Sequence, residues 1–255
     1  MKDGRKHLAR QIIFVRTPLV TIILGGYDKA SLTSVAPHCA IAGQGSGANP
    51  PPAPRLKMTS RDLKAVIRGR KPLYEGFLRV YQYEFDVEKH DGKTRRMAWE
   101  MMERGDAVAV LGHDPSRDEV VLGNEFRPGV LVAGGYPYRD NLVAGGIEQG
   151  ETALQAAVRE MHEETGLILT NPTLIHAGAF VSSGGTSEKI SIVYGIVDTG
   201  RAGGVHGNAT ENEDILSVVL PATVFVDRIR SGDINDLKTL VAGYWFAEHR
   251  AAGRF

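Results

Sequence analysis

The sequence is poor in cysteine, in net charge and in long uninterrupted apolar runs. Cys39 is the one cysteine among 255 residues, so no disulfide can form within the chain, and a reducing compartment such as the cytoplasm is expected. The 30 basic and 30 acidic residues give a net charge of +0, which provides no general attraction to nucleic acid or to an anionic membrane. We therefore expect neither nucleic acid nor a membrane as a partner.

The first 57 residues differ from the rest of the chain. Their most apolar stretch, residues 11–24, is shorter than the roughly 20 residues that a membrane helix needs. Basic residues precede it, as in a targeting peptide, but no convincing small-residue cleavage site follows. Residues 41–54 are rich in alanine, glycine and proline, as a disordered linker would be. We interpret residues 1–57 as a disordered extension or as a misassigned start ahead of Met58, with a targeting segment as the alternative.

The remaining sequence has the pattern of a mixed α/β domain. Strand-type residues predict antiparallel strands within residues 73–103, joined by a hairpin turn at 90–93. Further strands are predicted at 106–113, 119–126, 141–144, 174–181, 189–197 and 214–220. Helices are predicted from Pro221 to about Arg230 and within 234–250. Strands with helices inserted between them favour an α/β/α sandwich with a mixed sheet.

The most informative segment is residues 145–167. Gly145 lies in a glycine-rich loop that can bend tightly and approach a ligand. Thr152 and Gln155 have the spacing of a capping box, so a helix should begin there, and Gly166 should end it. The apolar face of this helix would consist of Leu154, Ala157, Val158 and Met161.

The acidic residues of this helix suggest a metal site. Glu160, Glu163 and Glu164 would lie on one side of about one helical turn. Like charges at this spacing destabilise a helix by roughly 0.2–0.5 kcal/mol per pair. A hard divalent cation such as Mg²⁺, which prefers carboxylate oxygens, would offset this cost. Arg159 is expected to hold one of these acids in place, and a solvated acidic helix face is the alternative.

The spacing of this segment is similar to a known motif. The positions Gly145, Glu151, Arg159, Glu160, Glu163, Glu164 and Gly166 resemble the Nudix box. Nudix hydrolases cleave a nucleoside diphosphate that is linked to another group, and the resemblance implies a loop–helix–loop that carries the catalytic metal. It also implies the Nudix α/β/α sandwich, here with an additional N-terminal antiparallel β-region.

From about Leu73 onward the chain resembles bacterial ADP-ribose pyrophosphatases. The matching stretches are residues 73–77, 103–105, 118–122, 142–145, 184–188 and 211–215. The resemblance implies a homodimer that hydrolyses ADP-ribose to AMP and ribose 5-phosphate with Mg²⁺, or with Mn²⁺ as a substitute. It assigns residues 58–105 to a β-region that contributes to the dimer and residues 106–255 to the hydrolase domain. A pyrophosphatase for another nucleotide sugar, such as ADP-glucose or GDP-mannose, and a non-catalytic nucleotide-binding module are the alternatives.

The resemblance further implies roles for individual residues in metal binding and catalysis. The metal ligands would be Glu160, Glu164, Glu213 and the backbone carbonyl of Ala144. Glu163 would act as a more distant ligand, and Arg159 would fix the geometry of the acids. Glu211, which precedes the predicted strand at 214–220, would be the catalytic base, with a solvated acidic loop as the alternative.

Substrate contacts are expected at other positions. Arg127 would contact phosphate, with an ordinary surface arginine as the alternative, and Gly146 would lie against the substrate. Ser182 and Glu188 flank a Gly-Gly turn through which the backbone could reach the terminal ribose. Trp99 would stack on adenine or pack in the dimer interface. Some ADP-ribose pyrophosphatases have a proline where this chain has Ser183.

Overall fold

The computed structural model describes residues 62–208 and 213–255. The expectations for residues 1–57 and for a start at Met58 lie outside these ranges. The described residues form two β-sheets and four α-helices.

The N-terminal part forms a separate antiparallel sheet. Its strands are β1 (Ala65–Glu75), β2 (Arg79–Glu88) and β3 (Thr94–Glu103), paired in that order. The predicted hairpin turn at 90–93 joins β2 to β3, as expected. The first strand begins at Ala65, earlier than predicted. Every residue of β1 is exposed, so the alternation of apolar and polar residues that reveals a half-buried strand is missing there.

The second sheet is mixed and forms the centre of the domain. Its strands are β4 (Ala107–Asp114), β5 (Glu119–Phe126), β6 (Tyr138–Asn141), β7 (Val143–Gly146), β8 (Thr170–Phe180), β9 (Lys189–Ile196), β10 (Val205–His206) and β11 (Ile215–Pro221). The order is β10-β11-β5-β4-β9-β8, with β6 paired to β5 and β7 paired to β4. Strands β4 and β9 are parallel, and the other pairs are antiparallel.

Helices cover both faces of the mixed sheet. They are α1 (Pro128–Val132), α2 (Ala153–Thr165), α3 (Ala222–Ser231) and α4 (Leu237–Ala251). Successive side chains of β4 point to opposite faces. Val108 and Val110 therefore pack with α2, while Ala109 and Leu111 pack with α3 and α4. The predicted α/β/α sandwich is confirmed.

One local prediction was wrong, and one helix was not predicted. The strand expected at 141–144 is two short strands, β6 and β7, and Leu142 lies between them. Helix α1 was not predicted, because a helix of five residues is too short to show a periodic apolar face. No helix in the described ranges is long and apolar enough to cross a membrane.

A buried carboxylate connects the β4–β5 turn to the segment after β9. Asp114 is 3% exposed. Its Oδ1 accepts hydrogen bonds from the backbone and hydroxyl of Ser116, at 2.9 and 2.6 Å, and its Oδ2 accepts from Thr199 N at 3.1 Å and from Arg117 Nη1 at 2.7 Å. Burial alone would raise the pKa of Asp114, but the donors from Ser116, Arg117 and Thr199 outweigh it and hold this pKa well below its usual range.

Asp114→Ala should destabilise the fold by about 1–3 kcal/mol at pH 7, because several buried donors lose their acceptor. Since the folded-state pKa of Asp114 is depressed, its contribution is present above the unfolded value and is lost as the pH falls. The difference in unfolding free energy between wild type and variant should narrow below about pH 4. Urea unfolding of both proteins at pH 7 and pH 3 measures this difference in unfolding free energy. Asp198→Ala, which removes an exposed partner of Arg117, is the control, and an equal loss in both variants would contradict this account.

Candidate functional site

The loop and helix at residues 145–167 form as predicted. The Thr152 hydroxyl accepts from Gln155 N at 3.3 Å, and the Gln155 side chain accepts from Thr152 N at 2.9 Å, which completes the capping box. Gly166 ends α2 with φ of 71°, a left-handed conformation that favours glycine. Strand β7 leads into this loop and is held by antiparallel pairing with β4. The loop therefore has a fixed position at the edge of the central sheet.

Gly145 permits a close approach between the loop and α2. A Cβ atom at this position would lie 1.9 Å from Glu160 Oε1. Any side chain here would displace the carboxylate of Glu160 or the backbone of β7. The glycine thus allows this carboxylate to lie directly against the loop.

Arg159 organises the acidic residues around it. Its guanidinium donates to both carboxylate oxygens of Glu151, at 3.1 and 2.9 Å, and to Gly146 O at 2.9 Å. Its Nη1 donates to Glu160 at 2.7 Å and to Glu163 at 3.0 Å. Arg159 holds more acids than expected: it contacts two of the three acids of α2, Glu160 and Glu163, and also Glu151, because its planar guanidinium has five donors. Its contacts lower the pKa of Glu151.

Two acids of α2 are buried beside each other. Glu164 is 2% exposed, and its Oε2 accepts from Ala144 N at 3.4 Å. Burial, followed by the nearby charges of Glu125 and Glu160, raises the pKa of Glu164 to about 9. Burial also raises the pKa of Glu160 in spite of Arg159. The side chain of Glu163, in contrast, is 42% exposed.

Glu125, at the end of β5, is a further acid of this site that the sequence analysis missed. Its side chain lies 2.5 Å from Arg127 Nη2, and burial raises its pKa. The alternation of β5 contains the signal that could have identified it. Val121 packs against the layer of α2, so Glu125, four residues later, faces the same layer. A carboxylate on a buried strand face next to α2 extends the acidic cluster.

A first cavity of about 210 Å³ collects several of the predicted residues. It is lined by Gly145, Gly146, Ile147, Glu148, Arg159, Glu160, Glu163, Asn208 and Glu213. Glu213 Oε2 accepts from Asn208 N at 2.9 Å, which anchors the end of the acidic segment next to α2. Glu211 lies outside the described residues, so its role as a base stays a prediction.

A second cavity of about 170 Å³ lies on the other side of the same loop. It contains Arg127, Ala144, Gly146 and Glu188 together with Arg104, and it shares Gly145 and Gly146 with the first cavity. Glu188 is buried, and its Oε1 lies 3.7 Å from Arg104 Nε. The loop of β7 therefore separates two polar cavities whose walls hold most of the predicted site residues.

Trp99 and Ser182 lie outside the walls of these two cavities. Trp99 is 49% exposed, and its indole donates to Gly184 O at 2.8 Å. The Ser182 carbonyl accepts from the backbone of Gly185 and Thr186, at 2.9 and 3.0 Å. Trp99 thus fixes the turn between β8 and β9 against β3, and Ser182 closes hydrogen bonds within that turn.

The acids suit a hard divalent cation in their chemistry but are held apart by Arg159. Glu160 and Glu164 supply buried carboxylate oxygens, and Glu163 and Glu213 add more exposed ones, which is the donor type that Mg²⁺ prefers. Within residues 62–208 and 213–255, no group of three or more His, Cys, Asp or Glu side chains is arranged to hold a metal ion. Arg159 Nη1 lies between Glu160 and Glu163, so a ligand set that uses both requires this arginine to shift.

Comparison with known proteins identifies the same region. The model of the NUDIX domain matches residues 103–227. A protein named ADP-ribose pyrophosphatase from Escherichia coli is 38% identical over 189 residues, which are 73% of this chain and 89% of that protein. A protein of the same name from Haemophilus influenzae is 36% identical over 187 residues, 70% of this chain and 84% of its own length.

More distant proteins match as well. A GDP-mannose pyrophosphatase from Pectobacterium atrosepticum is 25% identical over 185 residues, 70% of this chain and 95% of that protein. A crystal structure of an ADP compounds hydrolase superimposes with a TM-score of 0.60 at 23% identity, covering 77% of this chain and 100% of its own. At this identity the likeness concerns the fold.

Proposed function

The chain belongs to the NUDIX family, and on that premise we propose that it is a Mg²⁺-dependent hydrolase that cleaves the pyrophosphate of ADP-ribose into AMP and ribose 5-phosphate. The choice of ADP-ribose as the substrate rests on the 38% identity to a protein named ADP-ribose pyrophosphatase, over 89% of that protein. Proteins named GDP-mannose pyrophosphatase are 25% and 26% identical, which favours ADP-ribose as the substrate. The single cysteine favours a cytoplasmic location.

Glu160, Glu164, Glu213 and the carbonyl of Ala144 would hold the Mg²⁺. The set fits in its chemistry, because carboxylate and carbonyl oxygens are the donors that Mg²⁺ prefers. Glu160 lies against Gly145, Glu164 accepts from Ala144 N, and Glu213 lines the same cavity as Glu160. A bound Mg²⁺ supplies neutralisation of the pyrophosphate charge and a lower pKa for an attacking water.

The other residues bind the substrate or orient the catalytic groups. Arg159 fixes the carboxylates of Glu151, Glu160 and Glu163 through its five hydrogen bonds. Arg127 contacts a phosphate from the second cavity. Glu211 takes the proton from the attacking water, and this proposal is supported by Glu213, two positions later in the sequence, which lines the first cavity.

The second cavity and the turn after β8 would hold the remaining parts of the substrate. Gly146 and Glu188 line that cavity, and we assign Gly146 to substrate contact and Glu188, with Ser182, to the terminal ribose. Ser182 belongs to the turn that Trp99 holds. We assign Trp99 to adenine stacking, since half of its surface is free.

The N-terminal sheet supports the proposal of a homodimer. Its exposed large apolar residues are Val66, Ile67, Leu73, Tyr74, Phe77, Leu78 and Trp99. A surface of this kind on a monomer indicates an interaction site. Light scattering on the purified protein should give twice the chain mass. A fully active monomer would contradict the dimer.

The metal-free protein should lose stability as the pH rises. Because the folded-state pKa of Glu164 is about 9, above its ordinary 4.5, the folded state binds this proton more tightly. Stability is therefore greatest below the unfolded value and falls as the pH rises from about 4.5 to 9. With a chelator present, Tm should decrease from pH 5 to pH 9, and Mg²⁺ should restore it at pH 8. Glu164→Gln should flatten the trend, and an unchanged Mg²⁺ effect in that variant would contradict the assignment.

Product analysis tests the proposed reaction. Incubation of the purified protein with ADP-ribose and Mg²⁺, followed by chromatography, should give AMP and ribose 5-phosphate in equal amounts. A chelator should stop the reaction. Release of ADP and ribose instead, or no turnover of ADP-ribose, would contradict the proposal.

A further inference from the structure

Lys238 is a largely buried cation near the N-terminus of α4. Its side chain is 14% exposed, and its Nζ lies 2.9 Å from Asp236 Oδ1. Asp236 also caps α4, because its Oδ2 accepts from Thr239 N at 3.1 Å and from Thr239 Oγ1 at 2.7 Å. The helix cap thus fixes the carboxylate, and the carboxylate fixes the ammonium. The ammonium has three N–H donors, and one of them is used by Asp236.

The ammonium adjoins the site through the second cavity. Lys238 and Arg127 both line this cavity of about 170 Å³, together with the backbone of Gly145 and Gly146. The same two cations also line a neighbouring cavity of about 410 Å³ between α1 and α4. A pair of cations 111 positions apart in sequence is therefore brought to one wall beside the glycine loop.

Arg127 is already committed in part to protein partners. Its Nη2 contacts Glu125 at 2.5 Å, and with the Asn141 amide oriented to satisfy its neighbours, Arg127 Nε donates to Asn141 at 3.1 Å. Glu188 lines the same cavity, and its carboxylate would repel an anionic substrate there. A second cation on this wall reduces that repulsion.

The cap of α4 does not depend on Lys238, because Asp236 completes it through Thr239. Partial burial of an ammonium costs free energy unless the charge is paired. Asp236 pairs with it, and its charge also acts on Glu125, where it opposes the burial that raises the pKa of that carboxyl. The ammonium lines the cavity beside Arg127, so a ligand that enters there can also reach it.

We propose that Lys238 is a positioning residue that binds a phosphate oxygen of the diphosphate substrate, next to Arg127. This inference rests on the proposed function, because it requires a nucleoside diphosphate derivative in the second cavity. The contact is present both in the bound substrate and in the transition state. Its loss should therefore raise KM with little change in kcat.

The test compares Lys238→Met, which keeps the apolar stem, with Lys238→Arg and with Lys93→Met. Lys93 lies in the exposed β2–β3 turn and serves as the matched control. For ADP-ribose, KM should rise about tenfold or more in Lys238→Met, as expected for a lost charged hydrogen bond, and less in Lys238→Arg. In the control it should stay within about twofold. A KM near the wild-type value in Lys238→Met overturns the proposal.

Two further measurements distinguish substrate binding by Lys238 from a purely structural role. Affinity for a non-hydrolysable α,β-methylene analogue of ADP-ribose should fall in Lys238→Met, and a lower Tm with unchanged affinity would assign Lys238 to stability alone. In Lys238→Met alone, the Asp236 carboxylate loses its cation and stays partly buried. A second comparison avoids this effect by using Asp236→Asn as the background for Lys238→Met, since asparagine still caps α4. KM should be higher in Asp236→Asn/Lys238→Met than in Asp236→Asn, by the same factor as between Lys238→Met and wild type. Equal KM values in these two variants would overturn the proposal. If the wild type turns over a different nucleoside diphosphate derivative and leaves ADP-ribose intact, the proposed function fails, and the comparison is made on that substrate.

Discussion

Replacing Glu164 by glutamine is expected to lower kcat by several orders of magnitude and to leave the fold intact. The side chain is 2% exposed and of nearly the same shape as glutamine, whose amide oxygen can still accept from Ala144 N. In the absence of metal, Glu164 has a pKa of about 9 and must take up a proton to be buried at pH 7. Glutamine avoids this cost, so folding gains rather than loses free energy. The substitution also removes a metal ligand, and with it part of the neutralisation of the pyrophosphate.

Steady-state kinetics with ADP-ribose at saturating Mg²⁺ measures this effect. Glu163→Gln is the matched control on the same helix, since its side chain is 42% exposed and is the more distant ligand. We expect a smaller loss of kcat in Glu163→Gln than in Glu164→Gln. A kcat for Glu164→Gln within about tenfold of wild type, or ~1.4 kcal/mol, would remove Glu164 from the ligand set.

Glu211→Gln should lower kcat by about 10²–10⁴-fold with little change in the Mg²⁺ requirement, because only proton abstraction is lost. Glu213→Gln should lower activity and also raise the Mg²⁺ concentration needed, since Glu213 lines the cavity that contains Glu160 and Glu163. Measuring kcat against Mg²⁺ concentration for both variants separates the two roles. If saturating Mg²⁺ restores kcat in Glu211→Gln, then Glu211 is a ligand and the base is a different group.

The features that the sequence predicted well are those with local signals. The capping box of Thr152 and Gln155 and the left-handed Gly166 placed α2 within a residue of its observed ends. The strand at 119–126 was predicted with its observed limits, since apolar residues run through most of it. These signals depend on side chains only a few positions apart, and such pairs can be read without a fold.

What the sequence did not provide are contacts between distant segments. Glu125 on β5 lies near enough to Glu164 on α2 for its charge to raise the pKa of Glu164. Arg127, just after β5, and Lys238 on α4 line the same cavity. The alternation of β5 can place Glu125 on the face of the α2 layer, but it does not give the distance between residues of different layers, because that distance depends on how the layers pack. The three-carboxylate role of Arg159 was underestimated for a related reason, since side-chain geometry decides how many acids one guanidinium reaches.

The most direct test of the account is the ratio of kcat/KM values for ADP-ribose, ADP-glucose and GDP-mannose with Mg²⁺. We expect the highest value for ADP-ribose, in agreement with the 38% identity to an ADP-ribose pyrophosphatase against 25% to a GDP-mannose pyrophosphatase. A higher value for GDP-mannose would contradict the proposed substrate while leaving the reaction class in place. Absence of turnover for all three would instead favour a nucleotide-binding module without catalytic activity.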